Sequence, residues 1–168
     1  MATRSGDLPQ AVPFILDNRE VEALPGESLL QVAQRHGVEI PHLCYTEGLR
    51  VDGNCRACVV EIEGERVLAP SCCRTPTTGM RVITGSERAR RSQRLVLELL
   101  QSDVVEGRNY ALHSELDYWS EKLQLGKPRF PARSQPTADL SHPAISVNLD
   151  ACIQCTRCLR ACREEQGN

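Results

Sequence analysis

The chain has 168 residues, which allows one medium domain or two small ones, and its net charge of −2 excludes a basic nucleic-acid-binding surface and an acidic tail. Its apolar runs are too short for a membrane span, and its first residues lack the apolar segment of a secretory signal. Nine cysteines without an export signal indicate a reducing compartment. We therefore expect a cytoplasmic protein whose cysteines are metal ligands or free thiols rather than disulfides.

The first part of the chain, to about residue 85, alternates between strand and helix patterns. Ser28 and Gln31 have the spacing of a capping box and predict a short helix that ends at Gly37. A loop from Pro41 to Cys58 follows it. The predicted strands are Val12–Leu16, Arg19–Ala23, Val59–Ile62, Arg66–Leu68 and Arg81–Thr84. A hairpin, a helix, a cysteine-bearing loop and further strands form the element order of a β-grasp ferredoxin, so the predicted fold class is α+β.

A helical segment is predicted next, over residues 86–126. The pattern Thr84-Gly-Ser-Glu87 caps a helix that runs to about Gln101, and we expect Leu95 and Leu99 on its buried side.

A second helix in this segment is predicted by apolar residues at i, i+4, i+7 and i+11. These residues are Leu112, Leu116, Trp119 and Leu123. Gly126 is predicted to end this helix, and residues 127–143, with four prolines, predict an extended proline-rich connector. Residues 144–168 then contain the second cysteine group.

The first cysteine group is a C-x10-C-x2-C-x13-C run, which offers the four thiolates that a [2Fe–2S] cluster needs. Its members are Cys44, Cys55, Cys58 and Cys72, with Cys73 directly after. A structural zinc site is the alternative, but zinc usually takes two C-x2-C knuckles and only one is present.

The second group is a C-x2-C-x2-C-x3-C run, typical of two-cluster bacterial ferredoxins. Cys152, Cys155 and Cys158 would hold one [4Fe–4S] cluster, and Cys162 would serve a second cluster whose other ligands lie in a later run. That later run is absent from the sequence, so the [4Fe–4S] site is incomplete here. We expect a truncated piece of a larger subunit; completion by a partner, or one strained cluster, are the alternatives.

Both groups carry a family resemblance. The segments IPHLCY, GNCRACVVEI and LAPSCCRTPTTGMRV, within residues 12–85, resemble the N-terminal [2Fe–2S] domain of three relatives. These are the large iron–sulfur subunit of respiratory complex I, the diaphorase subunit of NAD-reducing hydrogenases, and the α subunit of NAD-dependent molybdenum formate dehydrogenases. HPAISVNLDACIQCTRCLRACREEQ resembles the start of the two-cluster ferredoxin domain of the formate dehydrogenase subunits.

The resemblance implies that a single cysteine at this position is the fourth ligand of the [2Fe–2S] cluster. This chain has two adjacent cysteines there. Alignment on Gly79-Met80 favours Cys72, whereas counting back from Pro76 favours Cys73. We expect Cys72 to be the ligand and Cys73 to be a buried free thiol.

The cysteine-free middle of the chain helps to distinguish among the three relatives. The complex I subunit carries a His-x3-Cys-x2-Cys-x5-Cys cluster there, whereas SDVVEGRNYALHSELDYW has no cysteine. We therefore expect His113 not to be a ligand, and we expect His42 and His142 to be structural residues or hydrogen-bond donors that tune a cluster.

The resemblance implies an electron-transfer module of a formate dehydrogenase α subunit, which passes electrons between a molybdenum site and flavin and NAD in partner subunits. No phosphate-binding glycine loop, catalytic triad or paired carboxylate is found in the sequence, so we expect no catalytic residues in this chain. The alternatives are the diaphorase-type subunit of an NAD-reducing hydrogenase and a zinc-stabilised interaction domain. The predicted divisions are residues 10–85, 86–126, 127–143 and 144–168.

Overall fold

The computed structural model describes residues 11–104 and 114–167, and these fall into two compact units. The first unit contains the described residues up to Ile40 together with Cys58–Arg90, and the second contains Pro41–Ala57 together with the described residues from Arg91 onward. The four-part division predicted from the sequence stays a prediction.

The first unit is built on a mixed sheet. Within the described residues, five strands pair in the order β2-β1-β5-β3-β4. They are β1 Val12–Leu16, β2 Arg19–Ala23, β3 Val59–Ile62, β4 Ala69–Pro70 and β5 Arg81–Ile83. The pair β1–β5 is parallel, and the other neighbours are antiparallel. The order of elements along the chain is the one predicted for a β-grasp ferredoxin.

One strand prediction is wrong. Residues 66–68 are not a strand, because Gly64 turns the chain and Arg66 and Val67 are exposed in a bend. Pairing with β3 begins only at Ala69 and ends at Pro70. Proline is tolerated there because β4 is at the edge of the sheet, where its missing N–H breaks no ladder.

The core of the first unit follows the strand alternation. Phe14 and Leu16 of β1 and Val21 and Ala23 of β2 are buried, as period-2 patterning requires. Helix α1, Leu29–Arg35, adds its own buried residues: Leu29, Leu30, Val32 and Ala33.

The cap of α1 is the predicted capping box. The Ser28 hydroxyl accepts from the Gln31 N–H at 3.3 Å, and the Gln31 side chain accepts from the Ser28 N–H at 2.9 Å. Because an N-cap hydroxyl satisfies a backbone donor that has no partner within the helix, Ser28→Ala should lower the free energy of unfolding by about 1 kcal/mol. Urea denaturation followed by circular dichroism measures this, with the exposed Ser134→Ala as control. An equal effect of both substitutions would show that the cap is not stabilising.

The turn of the first hairpin is tied to the end of β5. Asp17 and Asn18 both have positive φ, 47° and 65°, as a two-residue hairpin turn that follows the strand twist requires. The Asp17 carboxylate accepts from the Thr84 backbone N–H at 2.8 Å and from its hydroxyl at 2.6 Å. These bonds reinforce the parallel pairing of β1 with β5.

Helix α2, Glu87–Ser102, and helix α3, Glu115–Lys122, supply the core of the second unit. This core, the Leu97 cluster, consists of Leu43, Ala57, Leu97, Val104, Leu116 and Trp119. The predicted buried face of α2 is wrong, because Leu95 and Leu99 are 41% and 43% exposed while Leu97 is fully buried. In the second predicted helix, Leu116 and Trp119 are buried as expected, and Leu112 lies outside the described residues.

A short hairpin and a helical turn follow. Strands β6, Asp139–His142, and β7, Ile145–Val147, form an exposed antiparallel pair, so the predicted connector ends in a strand. Helix α4, Arg157–Arg160, runs into a π-helical turn over Ala161–Glu165. Across the described ranges, every helix is too short or too polar to cross a lipid bilayer.

Candidate metal centre

Cys44 and Cys55 form one thiol pair in the second unit. Cys44 is buried and Cys55 half-buried, and the Cys44 backbone N–H donates to Cys55 Sγ at 3.5 Å. A hydrogen bond with the Cys44 thiol, together with burial, raises the pKa of Cys55 well above its ordinary value. Because metal ligation requires the thiolate, metal uptake by this pair would release protons.

The loop around this pair depends on left-handed backbone. Gly48 and Gly53 have φ of 87° and 64°, and Arg56, directly after Cys55, has φ of 58°. A Cβ at Gly48 would meet nothing within 4 Å, so the positive φ and not crowding accounts for glycine at that position.

Cys58 and Cys72 form the other pair, in the first unit. Both are buried, and their Sγ atoms lie 3.3 Å apart. Cys58 precedes β3 and Cys72 follows β4, so the antiparallel pairing of these strands brings the two residues together. Ser71 reinforces the junction, because its hydroxyl and its backbone N–H donate to the Cys58 carbonyl at 2.7 and 3.1 Å.

Cys73 is exposed, so the prediction of a buried free thiol is wrong. Its Sγ lies 3.5 Å from Cys72 Sγ. The backbone N–H groups of Cys73 and Arg74 both donate to the Pro70 carbonyl, at 3.0 and 3.1 Å, which makes this stretch a tight turn. Successive side chains of such a turn point in different directions, so Cys72 is buried and Cys73 faces solvent.

Each thiol pair fits one iron of a [2Fe–2S] cluster. Each iron of a [2Fe–2S] cluster takes two protein thiolates, and the first cysteine group is arranged as two thiol pairs. Of the residues that the structure describes, no three or more histidine, cysteine or carboxylate side chains are grouped around a single-ion site.

The second cysteine group lies in the second unit. Cys152 follows a turn in which its N–H donates to the Leu149 carbonyl at 2.9 Å, and Cys155 lies between two left-handed residues, Gln154 and Thr156. Cys152 and Cys155 are half-buried. Cys158, on α4, and Cys162, in the π-helical turn, are exposed. Their assignment to [4Fe–4S] clusters stays a prediction.

The histidines beside the cysteine groups have identifiable contacts. His42 lies among aromatic rings, with centroid distances of 6.0 Å to Tyr45 and 5.9 Å to Trp119. His142 Nδ1 accepts from the Ala144 N–H at 3.2 Å in the turn between β6 and β7. His113 lies outside the described residues.

Sequence reasoning missed Arg160. This arginine lies between Cys158 and Cys162, is 3% exposed, and donates to the Cys44 carbonyl. Nothing in the sequence pattern distinguishes it from Arg157 or Arg163, because three arginines are interspersed with the cysteines of this segment.

Comparison with known proteins identifies the domain and its relatives. Residues 9–87 match the family model "2Fe-2S iron-sulfur cluster binding domain". The G subunit of NADH-quinone oxidoreductase from Rickettsia prowazekii (strain Madrid E) is 31% identical over 160 residues, which cover 93% of this chain and 24% of that protein. The G 2 subunit of NADH-quinone oxidoreductase from Rhizobium meliloti (strain 1021) is 32% identical over 168 residues, with 93% and 19% covered.

A solved structure is similar over the same length. The crystal structure of an NAD+-reducing [NiFe]-hydrogenase in the H2-reduced state matches with a TM-score of 0.82 and 30% identity, over 92% of this chain and 67% of that chain. Of the two NADH-quinone oxidoreductase subunits, this chain spans only about a quarter of the length or less. The chain belongs to the same family as the matched chain of this NAD+-reducing [NiFe]-hydrogenase and is homologous to the G subunit of NADH-quinone oxidoreductase, and its residues 9–87 are a 2Fe–2S iron–sulfur cluster binding domain.

Proposed function

We propose that the chain is an electron-transfer module in which Cys44, Cys55, Cys58 and Cys72 hold a [2Fe–2S] cluster. The observation that carries the proposal is the arrangement of these cysteines as two thiol pairs within a chain of this family. The cluster, when bound, supplies reversible one-electron chemistry. The protein supplies the four thiolates, excludes water by burying Cys44, Cys58 and Cys72, and donates the Cys44 N–H to a ligand sulfur.

The second cysteine group would supply a further redox centre. Cys152, Cys155 and Cys158 are proposed as three ligands of a [4Fe–4S] cluster, with Cys162 serving a second cluster whose remaining ligands lie beyond this sequence. The left-handed residues on either side of Cys155 support this role, because left-handed backbone also occurs in the turns of anion-binding loops.

The full assembly proposed is a formate dehydrogenase. There the module would pass electrons between a molybdenum site and flavin and NAD in partner subunits. The support is the middle of the chain, which lacks the cysteines of an additional cluster, and the likeness of the second cysteine segment to that subunit. An NAD-reducing hydrogenase is the second candidate, favoured by the structural match over 92% of the chain.

Metal analysis after anaerobic purification tests the electron-transfer function. We expect about two irons and two acid-labile sulfides for the first site, up to about four more of each for the second, and a [2Fe–2S] EPR signal on reduction. The double variant Cys152→Ser/Cys155→Ser should lose the additional iron and keep the [2Fe–2S] signal. Colourless protein with stoichiometric zinc and no sulfide would contradict the proposal and favour a structural zinc domain.

The DNA sequence after codon 168 distinguishes the two candidate assemblies. A continuing frame with another C-x2-C-x2-C-x3-C run and a molybdopterin-binding domain would support formate dehydrogenase. A stop codon followed by genes for a hydrogenase would instead support the second candidate.

A further inference from the structure

A buried arginine of the second cysteine segment contacts the loop of the first cysteine group. Arg160 is 3% exposed, and its guanidinium donates through Nη2 to the Cys44 carbonyl and through Nη1 to the Arg50 carbonyl. Both carbonyls belong to the loop that carries Cys44 and Cys55, and all of these residues lie in the second unit. One side chain therefore fixes the backbone at a proposed cluster ligand.

The charge of Arg160 is balanced at close range. Its Nε lies 3.7 Å from an Asp52 carboxylate oxygen and donates to the Thr156 hydroxyl at 3.3 Å, and that hydroxyl donates to Asp52 at 2.9 Å. A buried guanidinium without such partners would be strongly unfavourable. Asp52 and Arg160 are therefore a charge pair located beside the residue that bears the first cluster thiol.

The other bonds between the same segments are exposed. Arg50 binds Glu164 through its backbone N–H and its Nε, at 3.0 and 3.2 Å, and its side chain is 68% exposed. Asn54 donates to the Gln154 carbonyl at 3.4 Å. Exposed pairs of this kind are worth little and are screened by salt, so Arg160 is the contact with a strong local electrostatic effect.

We propose that Arg160 is a positioning residue that raises the reduction potential of the [2Fe–2S] cluster, and that Asp52 acts in the opposite direction. The inference rests on the proposed function. On accepting one electron from a donor, the cluster and its thiolates become more negative by one charge, and a fixed cation beside Cys44 stabilises that state. Net charge and hydrogen bonding around the ligands are the means by which a protein sets such potentials.

An EPR-monitored redox titration of the [2Fe–2S] signal, with dithionite as reductant, tests the inference. Arg160→Gln should shift the one-electron equilibrium about tenfold towards the oxidised cluster, which is a decrease of about 59 mV. Asp52→Asn should shift the potential in the opposite direction. Arg163→Gln is the matched control, because it removes the same charge from an exposed position of the same segment and should leave the potential nearly unchanged.

Each outcome bears on the inference. Equal potentials of Arg160→Gln and Arg163→Gln, or shifts of the same sign for Arg160→Gln and Asp52→Asn, would overturn it, since the second result indicates general disruption of the site. If Arg160→Gln does not assemble a cluster, two other variants decide. Arg160→Lys keeps the charge and should keep the reduction potential close to that of the wild type. An unchanged or lowered potential in Asp52→Asn refutes the proposal. A wild-type protein without any [2Fe–2S] signal would instead refute the proposed function.

Discussion

Cys72→Ser should lose most of the [2Fe–2S] signal, whereas Cys73→Ser should keep it. The Cys72 thiol is buried 3.3 Å from that of Cys58, and its neighbour in sequence is exposed. A serine hydroxyl is a harder and far less acidic ligand than a thiol, so it replaces a thiolate poorly on iron. Iron content, sulfide content and the reduced EPR spectrum of the anaerobically purified variants measure the effect.

Cys73→Ser is the matched control for this prediction, because the two residues are adjacent and undergo the same atomic replacement. Cys55→Ser should behave like Cys72→Ser, since it removes one of the same four thiolates. A normal signal in Cys72→Ser with a lost signal in Cys73→Ser would exchange the assignment of the fourth ligand. A normal signal in Cys55→Ser would show that the ligand set itself is wrong.

Leu97→Ala should lower the free energy of unfolding by about 2–5 kcal/mol, the range for a leucine deleted from a packed core. Leu97 is fully buried in the Leu97 cluster, where Trp119 is also buried. Trp119 is the only tryptophan of the sequence, so its fluorescence during urea denaturation reports on this core. The urea concentration at the midpoint of unfolding should fall, while the slope of the free energy of unfolding against urea concentration should stay the same.

Leu95→Ala is the control, because the same side chain is removed from the same helix at a position that is 41% exposed. A surface substitution of this kind should change stability by no more than about 0.5 kcal/mol. A larger loss for Leu95→Ala than for Leu97→Ala would mean that α2 packs on the face predicted from the sequence.

Local patterns predicted the first unit well. The hairpin and β3 have the expected bounds, and α1 begins at the predicted Ser28 cap, because each is defined by short-range alternation or by a capping pair. The two-residue strand Ala69–Pro70 was missed because partner pairing, and not its own composition, makes it a strand.

The buried face of α2 could not be read from its sequence. Leu95, Leu97 and Leu99 lie within the mostly apolar run LVLELL, whose closely spaced leucines do not define a unique helical face. The true face also carries polar residues, including Glu98, which is paired with Arg129 at 2.7 Å. That ion pair lowers the pKa of Glu98 to about 2. Tertiary pairing of a charged residue is invisible to a hydrophobic pattern.

The candidate site was predicted only in part, for a similar reason. Cysteine spacing suggested Cys44, Cys55, Cys58 and Cys72 as a set, and the structure adds which thiols are paired. The exposure of Cys73 follows from a turn of the backbone, and the contact of Arg160 with Cys44 joins residues 116 positions apart. Neither a backbone turn of this kind nor a long-range contact produces a periodic pattern in the amino-acid sequence.

The position of β5 has a consequence for the order of events during synthesis. This strand pairs with both β1 and β3, so the sheet cannot close until residues 81–83 have left the ribosome. A lone β1–β2 hairpin is at best marginally stable, and the nascent chain emerges from its N-terminus. The thiols of Cys58 and Cys72, which flank β3 and β4, therefore emerge before the strand that completes their sheet, and a cell must keep them reduced and free of competing metals throughout that interval.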